Sequence, residues 1–267
     1  MSIGGRLVAF LLVLLGTFGS AYAVGEKLPG HNHAGHSDAD HSDADHVATL
    51  VPPGFTSGNY RLVMGNLVVQ ADKTRVVTFR LETNDKKMVK MFSEFHGALM
   101  HVVLVRPDLS GFDHIHPDIA ADGSWQVTLD QPGPWHVVFE STPSGTSDAV
   151  IVSANLDDER TVEPKPLPGP NDDVTIDGLR VVRSGIGFAV TASGGGPAQG
   201  MQPYLGQPAH LIAIRQGDLD FIHLHPQTMD GMLMFGTALP EPGTYRLFLQ
   251  FGHNGKVLTV PFTVVQP

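Results

Sequence analysis

The stretch from His101 to Pro117, His101-Val-Val-Leu-Val-Arg106-Pro-Asp-Leu-Ser-Gly-Phe112-Asp-His114-Ile-His116-Pro117, returns without a gap as His210-Leu-Ile-Ala-Ile-Arg215-Gln-Gly-Asp-Leu-Asp-Phe221-Ile-His223-Leu-His225-Pro226. The same offset sets Phe79 on Phe188, Phe95 on Tyr204 and Gly97 on Gly206. A repeat of this length means two versions of one domain, and its shared skeleton directs attention to the histidines. In a chain of 267 residues each copy is large enough to bury its own core.

Within each copy, short apolar runs are separated by turn residues. In the first they are 61–69, 74–81, 101–105, 112–116, 125–129, 135–139 and 149–154. In the second they are 174–182, 187–192, 210–215, 221–225, 232–239, 245–251 and 256–265. Asn254-Gly255 marks a two-residue hairpin, because both central positions of that turn need positive φ. Thirty Gly and 20 Pro, with no amphipathic stretch of helical period, predict an all-β chain: two tandem antiparallel β-sandwiches, immunoglobulin-like or cupredoxin-like. Pro164, Pro166, Pro168 and Pro170 alternate through an extended linker. The expected division is 59–157 for domain 1, 158–171 for the linker and 172–267 for domain 2.

Ahead of these, residues 1–23 carry Arg6, an apolar run and an Ala21-Tyr22-Ala23 ending, the pattern of a secretory signal peptide. The run is also just long enough for an uncleaved membrane anchor. Residues 24–58 interleave His31, His33, His36, His41 and His46 with aspartates and show no apolar period. Such a tract is expected to stay an unfolded tail, either gathering metal ions or serving as a solvated spacer. The expected location is secreted or extracytoplasmic.

The net charge is −10 with no cationic run, which argues against nucleic acid. With no cysteine, thiolate metal sites and disulfides are excluded. Histidines two apart on a strand share a face, so His114 with His116, and His223 with His225, each preset two imidazoles. His101 and His210 open the preceding strand. They face their partners only if the connecting loop has an even number of residues. Three neutral imidazoles suit copper, zinc or nickel. Met100, His96 and His136 are further candidate ligands in domain 1, where domain 2 has Ala209, Leu205 and Arg246, so domain 1 carries the richer set. His253, Met229, Met232 and Met234 are secondary candidates in domain 2. The alternative is that the histidines cap the sheets, each ring bonded to a backbone carbonyl. Arg106 and Arg215 are expected to pair with a carboxylate or a carbonyl.

From Met100 to Pro117, and through Tyr204-Leu-Gly-Gln-Pro-Ala-His210, Phe221-Ile-His223-Leu-His225-Pro226 and Pro242-Gly-Thr-Tyr-Arg-Leu-Phe, the chain resembles a family of uncharacterised bacterial secreted or membrane-anchored proteins, known best from actinobacteria. It is also similar in plan to extracytoplasmic β-sandwich domains that handle copper or other heavy metals, an analogy that raises the expectation of a metal without assigning a role. The expected function is a non-enzymatic, extracytoplasmic copper- or zinc-binding protein, with a metal transporter or membrane-associated protein as its further partner. A surface interaction module with structural or pH-responsive histidines is the alternative. An enzyme is disfavoured: no nucleophile or dinucleotide motif occurs, and Asp113, the one base candidate beside a trio, is Ile222 in domain 2.

Overall fold

The computed structural model describes residues 56–70, 74–158, 160, 162–229, 232–236 and 239–267. The segment expected to be a signal peptide or anchor, and the His/Asp tract up to residue 55, lie outside the described residues. Among the described residues no helix is long and apolar enough to cross a membrane.

Domain 1 contains β1 (Thr56–Ser57), β2 (Tyr60–Val69), β3 (Arg75–Thr83), β4 (Phe92–Ser93), β5 (His101–Val105), β6 (Phe112–Ile115), β7 (Trp125–Leu129), β8 (Trp135–Pro143) and β9 (Val150–Leu156). Domain 2 contains β10 (Asp173–Ile176), β11 (Leu179–Ser184), β12 (Gly187–Ala192), β13 (Met201–Gln202), β14 (His210–Arg215), β15 (Phe221–Leu224), β16 (Pro226–Met229), β17 (Met232–Phe235), β18 (Gly243–His253) and β19 (Lys256–Gln266). Each domain is a sandwich of an outer and an inner antiparallel sheet. The outer sheets run β1-β2-β3-β7 and β10-β11-β12-β17-β16. The inner sheets run β4-β8-β5-β6 with β9 on β8, and β13-β18-β14-β15 with β19 on β18.

Two boundaries differ from expectation. The run 174–182 is two strands, because Asp177-Gly178, at φ 46° and 78°, folds it into a hairpin. Domain 1 begins before residue 59, since Thr56–Ser57 pairs back onto Tyr60 and Arg61. The linker forms no strand, but Leu167 packs against apolar residues of both domains and the Lys165 N–H donates to Asp108 at 2.8 Å.

Burial patterns separate the two kinds of sheet. Strand β7 alternates buried and exposed residues, as a sheet with one wet face should, whereas every residue of β5 is buried. Val102 and Leu104 point into the core of domain 1 with Phe79, Trp125, Trp135 and Phe139. Leu211 and Ala213 likewise point into the core of domain 2 with Phe188, Tyr245, Phe251 and Phe262. The alternate residues form a third cluster shared by both domains: Val103, Val105, Leu109 and Val138 pack with Ile212, Ile214, Phe221 and Phe248. Phe112 stacks on Phe248 at 4.1 Å between ring centroids, with the planes 11° apart. The inner sheets are therefore packed face to face, and the histidines lie on that shared face.

Candidate metal centre

Strand register sets each trio. Val102 lies across from Ile115 and Val103 from His114, so one further step brings His101 opposite His116. Leu211 opposite Leu224 and Ile212 opposite His223 repeat the arrangement for His210 and His225. The loops 106–111 and 216–220, with the last residue of β14, have the even count that this register needs.

In domain 1, His101 Nδ1 stands 3.3 Å from His114 Nε2 and 2.8 Å from His116 Nε2. In domain 2, His210 Nδ1 stands 3.1 Å from His223 Nε2 and 2.9 Å from His225 Nε2, and those two Nε2 atoms are 3.2 Å apart. Nitrogens bonded to a tetrahedral ion at about 2.0–2.1 Å would be separated by about 3.3 Å.

For four of the six rings, His101, His114, His210 and His223, the far side fixes the tautomer. His101 Nε2 donates to the Phe95 carbonyl at 2.8 Å, and His210 Nε2 donates to the Tyr204 carbonyl at 2.9 Å. Those carbonyls belong to two equivalent tight turns, 95–98 and 204–207, whose central residues all have positive φ: His96 53° and Gly97 79°, Leu205 49° and Gly206 80°. His223 Nδ1 donates to Glu140 Oε2 at 2.8 Å, and His114 Nδ1 donates to Gln250 Oε1 at 3.2 Å. A neutral imidazole that donates outward presents only a lone pair inward. His101 thus faces His114, and His210 faces His223, lone pair to lone pair at hydrogen-bond distance. A cation between them resolves that repulsion, and an outward hydrogen bond on each ligand is the usual second sphere of a metal-bound histidine.

Both outward acceptors come from the opposite domain. Glu140 on β8 pairs with His101 of its own sheet but bonds His223, while Gln250 on β18 pairs with His210 but bonds His114. The Tyr204 hydroxyl also crosses over, donating to the His114 carbonyl at 3.2 Å. Mixed ligand groups follow: donor atoms of His114, His210 and His223 lie within 4.8 Å of one another, as do those of His101, Glu140 and His223, and those of His96, His223 and His225. The trios form one inter-domain cluster.

Burial holds five of these imidazoles neutral. It pushes His114 and His223 well below the ordinary histidine range, reinforced by neighbouring imidazoles. His116 is pushed down to about 3 and His210 to about 4, again chiefly by burial, and His225 is lowered in the same way. Neutral imidazoles are the metal-binding form.

Several expected ligands are elsewhere. Met100 precedes His101 and so points to the opposite face, into the core of domain 1. His136 is on the histidine face but four residues along β8 from Glu140, roughly 13 Å away, and donates from Nδ1 to Asn155 at 2.9 Å. His253 sits near Asp177 on another edge. Met232 and Met234 belong to the outer sheet, and Met229 lies in β16 of the same sheet. His96 leaves its own trio for the other: its ring is 3.8 Å from His225 and 6.2 Å from His101. That reverses the expected asymmetry, since domain 2 has the richer ligand set. Asp113 occupies the face of β6 away from the histidines and lines a small space with Leu104, Thr128 and Trp135. Arg106 donates to the Pro132 carbonyl, and Arg215 pairs with Asp218, Asp220 and Glu241, so both expected partner types occur, one in each copy.

Fold and site together define a duplicated β-sandwich protein with a buried inter-domain histidine cluster able to hold a metal. A family model described as a domain of unknown function, DUF8832, matches twice, over residues 55–156 and 174–266. The chain belongs to that family and carries its domain in two copies. No curated protein matches it.

Proposed function

We propose that this chain is an exported, non-enzymatic transition-metal-binding protein that holds its ions between its two sandwiches, with copper preferred and zinc second. One observation carries the reading: inward lone pairs meet at 3.1–3.3 Å in both copies, while the outward nitrogens of the same rings are already bonded. Structural capping accounts for the outward bonds, and Nε2–H donation from His116 and His225 accounts for the contacts at 2.8 and 2.9 Å, but neither places a second lone pair, of His114 or His223, against the same nitrogen.

Charge favours copper. Two divalent ions held no farther apart than the His114 and His210 rings, 5.0 Å between centroids, would repel by roughly 13 kcal/mol at an effective dielectric constant of about 20, whereas two monovalent ions would repel by roughly 3 kcal/mol. Monovalent copper can therefore occupy both trios at far lower cost than zinc, which would need a bridging anion. A holding role fits the burial of His101, His114 and His210 and the engagement of Glu140, the carboxylate in the described cluster, by the His223 ring. Export rests on the N-terminal sequence, and a metal transporter or membrane-associated protein is the partner such a carrier would serve.

The test is metal titration of the chain with serine at His31, His33, His36, His41 and His46. Uptake of one or two ions is expected, and alanine at both His114 and His116 should remove the domain 1 share. If the serine variant takes up none, the metal reading fails and the histidines are structural.

A further inference from the structure

Resting on the metal reading above, we propose that the cluster is two unlike sites in one centre: a holding site of His210, His223 and His225 completed across the interface by His96, and an exchange site of His101, His114 and His116 that receives and releases ions through an acidic cavity.

The holding site has a fourth imidazole within reach. His96 stands at the tip of a tight turn, its ring 3.8 Å from that of His225, and its donor atom lies within 4.8 Å of those of His223 and His225. His210 is not in that group, so closing the shell requires the His96 side chain to rotate toward it. Four imidazoles complete a tetrahedral shell, which for these ions is the closed form of a site. Glu140 behind His223 adds the only carboxylate in the described ligand groups, and an acceptor of that kind makes a ligating ring more basic.

The exchange site has neither an imidazole on the equivalent turn nor a carboxylate bonded to its middle histidine. The residue equivalent to His96 is Leu205, which offers no donor, and the acceptor behind His114 is the neutral Gln250. Three imidazoles leave a coordination position open. His116, half-buried like His225, lines a cavity of about 310 Å³ with Glu94, Leu99, Pro117 and Asp118. The residues equivalent to Glu94 and Asp118 beside His225 are Pro203 and Gln227, so the anionic mouth belongs to domain 1 alone. Carboxylates flanking a narrow opening raise the local cation concentration. The mixed group of His114, His210 and His223 connects the two sites, so an ion can pass from one set of nitrogens to the next.

The experiment uses the full chain with serine at the five tail histidines, titrated anaerobically with copper(I) against a competing chromophoric chelator. Two equivalents are expected in two steps at least tenfold apart in affinity. His96→Asn, a residue that tolerates the positive φ of this turn, should weaken the tighter step tenfold or more and leave the weaker one unchanged. His116→Ala, or His116→Gln if alanine loosens the fold, should abolish the weaker step and spare the tighter. Glu94→Gln with Asp118→Asn should slow loading severalfold without changing stoichiometry. Two equal steps, uptake of a single ion, or a tighter step that survives His96→Asn and vanishes with His116→Ala would each overturn the proposal while leaving metal binding intact. No uptake at all would overturn the metal reading itself.

Discussion

The two inner sheets carry the same three histidines in the same register, yet they surround them differently. Where domain 1 has Glu140, domain 2 has Gln250; where one has His96 and His136, the other has Leu205 and Arg246. The trio is a product of strand geometry and survives these changes. What surrounds it is set by the opposite domain, since Glu140 and Gln250 each serve the partner's middle histidine. Each half therefore tunes the chemistry of the other half.

Acid should expose the largest difference. His114, His116, His210, His223 and His225 stay neutral in the fold while the unfolded chain takes up protons below about pH 6.5, so their contribution to metal-free stability is complete above that pH and falls as the pH drops. Each such histidine costs about 1.4 kcal/mol per pH unit. For His210 the loss ends near pH 4, and for His116 it continues to about pH 3. Denaturant unfolding between pH 7 and pH 3.5 should show the slope, and His116→Ala should flatten it further into acid than His210→Ala does. A flat profile in the unmodified protein would mean that the cluster is protonated when folded.

Next comes the shared apolar face. Phe248→Ala removes the ring stacked on Phe112 and should cost about 3–5 kcal/mol in denaturant unfolding. Val138→Ala, at the equivalent place in domain 1, removes two methyl groups and should cost about 2 kcal/mol. Equal losses would show that the two domains do not bury these side chains against each other.

Exchanging the outward acceptors sharpens the contrast in the site. Glu140→Gln should weaken the domain 2 site about 10–100-fold, equivalent to about 1.4–2.7 kcal/mol, and Gln250→Glu should strengthen the domain 1 site. Chelator competition reads both, and a change confined to the domain that bears the substitution would contradict the crossed arrangement. The smallest effect concerns the paired arginines. Arg106→Ala loses a buried carbonyl contact and the face of Trp135, about 2 kcal/mol. Arg215→Ala loses ion pairs with the exposed Asp218 and Glu241 and leaves the buried Asp220 without its cation, about 2 kcal/mol in all. Thermal unfolding of the two variants compares them.

Much of this was legible from period and loop length. His-x-His on a strand and an even loop are enough to place three rings together, and the observed pairing of Val103 with His114 follows that rule. The duplicated sandwich follows from the repeat in the same way. The crossing between domains was not legible, because a local period says which face a residue occupies and nothing about what covers that face. One signal was present: His101–Val105 and His210–Ile214 are apolar at every position after the histidine, where a sheet with one wet face would alternate as Trp125–Leu129 does. Read that way, the second face needs a cover, and the other copy is the available one. The positions of His96 and Asp177 depended on turns: the first projects its side chain over a neighbouring domain, and the second breaks a run that looks continuous.

The face-to-face arrangement bears on what would happen if the chain were cut in its proline-rich segment. Each half would then present a broad greasy surface with three histidines at one end, matched in shape to a near-copy of itself. Such a half should form an isologous homodimer about a dyad through the imidazoles, with a like trio from each subunit, and the intact chain is that assembly made covalent.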